Sequence, residues 1–464
     1  MATPLRLLRS TWRCLRLSRH AVFSSSSRRY LLSEAYSCNE AWDRYLQSPT
    51  LKQEAPIDFS RQIFNQLEKT GSASAVDLNV LAHQLNKMDD EEIDLFEDIL
   101  ARFNVCPSIY PRNDCTNHAI IRGFLGIHNG SRLVTLLGNR LTYGLFPNYY
   151  SLNLLMDHFI KQGDYHNAAK VSYHSMIQED FSNPVNTLLS LYASVHHLVS
   201  ANIDDLAPPP KEQSDGEENW VKVRYITFPY YDDHFDIKDE RFLLGKTLYM
   251  LGNVQSIDLS TDLRNNLKIV GSGLYHQFTK GLGLLKDVLS SADRSVSQQS
   301  LDYFAARLEQ VEARDPNEPE VELALRTIDD VIHRRLPTTD EKAEFLTEFS
   351  QVKEQLASQG KVKADFDLSK VVTELVTSSV NKLEQPEITT QENLFSRWEE
   401  ERREELEKQI AEYKKQARIE EMKQQVKDIQ KQEELLTYFD FEEKIRLHFV
   451  EEDRKADPNL TISK

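Results

Sequence analysis

Cysteine is nearly absent from this chain: there are four, Cys14, Cys38, Cys106 and Cys115, with no CxxC among them. That excludes a secreted-type disulfide framework and leaves free thiols in a reducing interior as the default. Glycine and proline are sparse, 15 and 16 of 464 residues, which suits a mainly helical soluble protein. No uninterrupted apolar stretch approaches the roughly 18 residues that a membrane-spanning helix needs, so no membrane partner is expected. Enzyme motifs are missing too. There is no HExxH, no GxSxG and no paired Cys/His spacing. Gly245-Lys246-Thr247 imitates the end of a phosphate loop, but Glu240 stands where its first glycine should be. Gly271-Ser272-Gly273 lacks a third glycine, and Asp232, Asp233, His234 and Asp236 read as a solvated acidic loop. Nothing asks for catalysis, a cofactor, a metal or a small-molecule substrate.

Acid is the other thing lacking, but only at the start. No Asp or Glu precedes Glu34, and residues 1–30 hold seven arginines, no lysine and the run Ser24 to Ser27. On a helix, Leu5, Leu8, Trp12 and Leu15 form an apolar stripe, with Arg6, Arg9, Arg13 and Arg16 beside it. Arg-rich, Ser-rich, acid-free and amphipathic is the pattern of a mitochondrial presequence. Arg28 stands where a matrix peptidase cutting after Tyr30 would prefer it. Removing seven arginines and no acids takes the net charge from −17 to −24. So acidic a body is no general polyanion binder, because phosphate affinity comes from Lys and Arg displacing counterions.

The centre of the chain repeats. Ile120, Ile121 and Phe124 recur 35 residues later as Leu155, Met156 and Phe159, and Leu133, Val134 and Leu136 recur as Ala168, Ala169 and Val171. Leu152, Leu155, Met156, Phe159 and Ile160 fall on one helical face. Asn129-Gly130 and Gly163-Asp164 separate the paired helical patterns, and Gly144 to Asn148 joins one unit to the next. A hairpin this small cannot bury its own face and must stack on a neighbour. Weaker copies run from Val76 to Phe103 and from Asn186 to Val199. The expected fold is all-α: an α-solenoid of helical hairpins, then a helical C-terminal region ending in a long charged helix.

These residues carry a resemblance. A 35-residue hairpin with Asn153 early in its first helix and a Gly-x-x-Pro-Asn joint resembles the pentatricopeptide repeat. Arg29 to Tyr36, Tyr143 to Pro147, Asn153 to Asp157, Phe159 to Lys161, Leu188 to Tyr192 and Leu356 to Lys361 resemble the mitochondrial small-ribosomal-subunit protein twenty-seven family. The resemblance implies a non-catalytic subunit of the mitochondrial ribosome, in the matrix, touching small-subunit rRNA and neighbouring mitochondrial ribosomal proteins. It also maps two base-reading pairs, Asn153 with Asn183 and His118 with Asn148. An Asn amide both donates and accepts and can pair with a pyrimidine edge. Two good repeats read only about two bases, so shape and phosphate contacts are expected to dominate.

The expected segments are a presequence at 1–30, helical repeats at 31–200, an acidic Pro-rich insertion at 201–239, a helical region at 240–385, and a long charged helix with its tail at 386–464. The insertion holds Pro208-Pro209-Pro210 and a β-branched, aromatic stretch at Val221 to Tyr231 that could be extended. Between Arg397 and Glu434 there are 12 acids and 10 bases. The apolar seam there (Leu406, Ile410, Tyr413, Ala417, then Ile419, Met422, Val426, Ile429) slips register, which disfavours a long coiled-coil dimer. What remains is a solvated single helix or one laid across a partner.

RNA contact has one local basis. From Arg112 to Ser175 the bases Arg112, Arg122, Arg132, Arg140, Lys161 and Lys170 outnumber three acids. A phosphate patch belongs there. Two other functional classes stay open at this point: a free-standing organellar RNA-binding factor, and a protein–protein scaffold. The presequence reading has a direct check. N-terminal sequencing of the mitochondrial form is expected to start near Leu31, and an intact Met1 or Ala2 would remove the import argument.

Overall fold

The computed structural model describes residues 31–51, 56–106, 114–201, 239–291, 293–316, 333–334 and 336–456. The presequence, Arg112, the acidic loop, the extended stretch and the rest of the insertion lie outside these residues. Among the described residues the fold is all-α, with sixteen helices and one pair of two-residue parallel strands, Val296–Ser297 on Val362–Lys363. None of the described helices is long and apolar enough to cross a membrane.

Four helices open the chain: α1 (Asn39–Leu46), α2 (Pro56–Thr70), α3 (Ala75–Ala82) and α4 (Asp90–Asn104). The repeating segment follows as α5 (Asp114–Gly126), α6 (Gly130–Gly138), the single turn α7 (Arg140–Tyr143), α8 (Tyr149–Gln162), α9 (Tyr165–Ile177) and α10 (Pro184–Ser200). Then come α11 (Glu240–Leu251), α12 (Thr261–Leu274), α13 (Phe278–Ser290), α14 (Gln298–Gln310), α15 (Thr339–Ser358) and the 89-residue α16 (Leu368–Ala456), which is kinked at Phe441 (φ −121°, ψ 16°).

The 35-residue period is visible in the backbone itself. Asn129 N–H donates to Phe124 O at 3.0 Å, and Asp164 N–H donates to Phe159 O at 3.0 Å. Both are the wide bond of a Schellman cap, which needs a left-handed residue just before the donor. Gly163 supplies it in the second unit (φ 80°) and His128 in the first (φ 56°). The sequence pattern puts the first break at Asn129-Gly130. In the structure Gly130 already belongs to α6, where a Cβ would meet the Phe159 ring at 3.1 Å. Phe124 and Phe159 are both fully buried.

Polar caps start the helices that follow. Asn148, Asp164 and Asn183 accept from the backbone N–H groups of Ser151, Asn167 and Asn186, satisfying donors the first turn leaves orphaned. Packing then runs in two rows: α5 lies against α8 and α8 against α10, while α6 lies against α9 and α9 against α11. Helices α10 and α11 also pack directly on each other, so the core continues from the repeats into the later helices. At the α11–α12 crossing, Gly245 and Gly271 permit close approach. A Cβ on Gly245 would sit 2.5 Å from Leu274 Cβ, and one on Gly271 2.6 Å from Gly245 O. The phosphate-loop imitation is therefore a helix-packing site. A second core gathers α13, α14 and α15 around Phe278, Phe304 and Phe349.

The end of the chain differs from its sequence pattern in one respect. Helix α16 begins at Leu368, passes Pro386 without a break, and carries a buried stripe before the charged stretch. Leu368, Val372, Val376 and Val380 are at most 1 % exposed, followed by Ile388, Phe395 and Trp398. This stripe packs against α10, α1 and the 3-10 turn Glu34–Ser37. Buried side chains of this kind are each worth about 1.5–3 kcal/mol. Among the described residues the last bonds to the body are made by Gln409, which accepts from Ser74 Oγ at 3.1 Å and donates to Asp77 at 3.3 Å; beyond it the helix leaves the body, and Tyr413, Met422, Val426 and Ile429 are 48–61 % exposed.

The left-handed caps give opposite mutational signs at equivalent positions. A Cβ on Gly163 would meet only open space, but the positive φ strains any L side chain there. Gly163→Ala is therefore expected to cost about 1 kcal/mol. His128→Gly is expected to stabilise by a similar amount. Urea unfolding of both checks this, and equal signs would contradict it.

Candidate nucleic-acid interface

Five of the base-reading and cation candidates converge on one inward surface, formed where α5, α8 and α10 stand side by side. His118 and Asn153 are completely buried there. Asn153 Nδ2 donates to Tyr36 Oη at 2.9 Å and its Oδ1 accepts from Asn186 Nδ2 at 2.9 Å. Tyr36 Oη in turn donates to Glu387 of α16, whose other oxygen accepts from Asn183 Nδ2 at 2.6 Å. The pair Asn153 and Asn183 is thus brought together, with Tyr36 and Glu387 between them. The pair His118 and Asn148 meets at Ser151: His118 Nδ1 lies 2.9 Å from its Oγ, and Asn148 accepts from its N–H at 3.0 Å. All four of these side chains are engaged by the chain's own groups.

Electrostatics follow from that enclosure. Burial, reinforced by the Glu387 carboxylate, pushes the Tyr36 hydroxyl well above its ordinary range. Burial, with Arg122 beside it, holds His118 well below the usual imidazole range, so it stays neutral. Arg122 also points inward. Its Nε donates to His118 Nε2 at 2.9 Å, its other nitrogens reach Asn39 and the Ser37 carbonyl, and its guanidinium covers the Trp42 ring at 5.0 Å.

The remaining cations lie elsewhere. Arg132 pairs with Asp94 and Glu97 of α4. Lys161 pairs with Asp157 at 2.6 Å, one helical turn away, and Arg140 is half-buried at the start of α7. Asp157, raised by its burial, is drawn back down by Lys161. Arg112 lies outside the described residues.

What covers the inward surface is the N-terminal segment and α16, running alongside each other. Ser33 donates from N–H and Oγ to Glu384 at 3.1 and 2.6 Å, Tyr36 to Glu387, and Ser48 Oγ to Glu399 at 2.9 Å. These three pairs share a separation of 351 residues, so the two segments advance in the same direction. Further along, Arg402 donates to Tyr45 Oη at 2.6 Å and to Thr50 Oγ1 at 3.1 Å, with its guanidinium over the Tyr45 ring. Sequence reasoning missed Tyr36, Glu384, Glu387 and Arg402 as a group. The signal available was the period-four stripe from Leu368 to Val380, which marks α16 as a packed helix from its first turn.

Removing the shared acceptor tests the arrangement. Glu387→Ala leaves Tyr36 Oη and Asn183 Nδ2 without their partner and is expected to cost about 1–3 kcal/mol. Gln385→Ala, on the exposed side of the same turn, is expected within about 0.5 kcal/mol of the parent. Equal urea midpoints for the two variants would show that the network contributes nothing.

The chain matches the family described as mitochondrial 28S ribosomal protein S27 over residues 7–428.

Proposed function

Since the chain belongs to the mitochondrial 28S ribosomal protein S27 family, we propose that it is a non-catalytic structural subunit of the mitochondrial small ribosomal subunit in the matrix, built as a pentatricopeptide-like solenoid and held chiefly by its projecting C-terminal helix. The stacked rows α5–α8–α10 and α6–α9–α11 support the solenoid reading. The observation that carries the mode of attachment is the apolar load at the end of α16. Leu436, Phe439, Leu447 and Phe449 are 63–67 % exposed, at the projecting end of the helix. Large apolar side chains exposed near one another on a surface are a feature of interaction sites. From Lys431 to Lys455 eight acids face five bases, a balance that suits a protein neighbour better than rRNA.

Any rRNA contact in this reading is made with phosphates, by Arg132, Arg140 and Lys161 on the outer side of the repeats. His118, Asn153 and Asn183 serve to join the hairpins to α16, Asn148 caps α8, and base reading plays no part. A free-standing RNA-reading factor would need that inward surface open. The subunit supports mitochondrial translation through its place in the ribosome.

Sucrose-gradient sedimentation of mitochondrial lysates across a salt series tests this. Deleting residues 417–464 removes only the projecting part of α16 and the tail, and is expected to release the protein from the small subunit at all salt concentrations. Arg132→Glu with Lys161→Glu is expected to weaken retention mildly, and only as salt rises. Full retention of the truncated protein would overturn attachment through the helix. A full-length protein that stays at the top of the gradient would overturn the ribosomal reading itself.

A further inference from the structure

Three helix ends meet beside the insertion: the start of α9, the end of α10 and the start of α11. Each contributes one metal-competent side chain, His166, His197 and Glu240, and one ligand atom from each lies within 4.8 Å of the others. The His166 and His197 rings are 5.1 Å apart, and His166 Nδ1 is 3.6 Å from Glu240 Oε2, too far for a hydrogen bond. His197 Nε2 and Glu240 Oε2 are buried with no hydrogen-bond partner among the described residues, and His197 as a whole is only 2 % exposed. A third buried polar atom with no partner among the described residues, Tyr173 Oη, also lies on α9. Buried polar groups in native proteins are nearly always satisfied, so this convergence points to a missing ligand.

We propose that His166, His197 and Glu240 bind one divalent transition-metal ion, zinc above all, which pins the ends of α9, α10 and α11 together. Two imidazoles and one carboxylate select zinc and its neighbours over calcium or magnesium, which require oxygen donors. Ligand atoms around tetrahedral zinc stand roughly 3.3 Å apart, given bonds near 2.0 Å. The 3.6 Å separation already approaches that, and small side-chain rotations close the rest. The carboxylate is divided suitably: Lys170 Nζ holds Oε1 at 2.8 Å, leaving Oε2 for the ion. Such a hydrogen bond orients a ligand as outer partners of metal sites do. Three protein ligands leave a fourth position for water. The residues come from three separate helices, 31 and 43 positions apart in the chain, and no sequence motif would show them. An ion here would staple the two helices that flank the insertion, and its purpose is structural.

Isothermal titration of the chelator-stripped full-length protein with zinc chloride, together with the visible absorption of its cobalt(II) form, decides this. The expected result is one ion per chain with a tetrahedral cobalt spectrum. Affinity should fall at least about tenfold in Glu240→Gln and in His166→Ala, and His448→Ala on the exposed arm should leave it unchanged. His166 is 43 % exposed in its side chain, so that variant is expected to keep its helical circular dichroism even if a His197→Ala protein does not fold. No zinc binding, or binding that survives both His166→Ala and Glu240→Gln, would overturn the site.

Discussion

The fold depends on how the inward surface of α5, α8 and α10 is covered. These helices are apolar on nearly every side: from Tyr150 to Asp157 every residue of α8 is buried, and α10 is buried from Val185 to Val195. Partner helices of the same hairpins cover two sides only. The third carries His118, Ser151, Asn153 and Asn186, buried polar groups that would each cost about 1–3 kcal/mol if left without partners. Whatever lies on that surface must bring both apolar stems and matching donors and acceptors. Helix α16 does so with Val372, Val376, Phe395 and Trp398 alongside Glu384, Glu387 and Arg402, and the Leu31–Tyr36 segment adds Tyr36.

This explains which parts were legible in the sequence. Local periodicity announces helices and their order, and the 35-residue repeat is plain because Phe124 and Phe159 fill the same place in successive units. The caps were nearly legible as well, missed by two positions at His128 because a glycine two residues further on looked like the break. The covering of the inward surface was not, because it joins residues 351 apart through side chains of ordinary composition. A glutamate in a charged helix reads as solvated unless its neighbours in space are known. The candidate cations suffered from the same blindness: Arg122 looks like any surface arginine in sequence, and only the fold reveals Trp42, His118 and the Ser37 carbonyl around it.

The functional consequence is a division of labour within one helix. The part of α16 up to about Gln409 belongs to the body, and the remainder is an arm with exposed Leu, Phe and Tyr side chains among mixed charges. In the body Arg132, Lys161 and Lys170 are paired to its own acids, which reduces their long-range attraction for phosphate.

Amide hydrogen exchange of the isolated full-length protein, read along α16, tests the central claim most directly. Protection reports how stably each stretch is held. The account predicts that amides from Val372 to Arg402 exchange as slowly as those of α8 and α10, with a sharp fall to fast exchange beyond about Gln416. Uniformly fast exchange from Leu368 onward, with α8 and α10 still protected, would show that the inward surface is not held by α16 and would contradict the account.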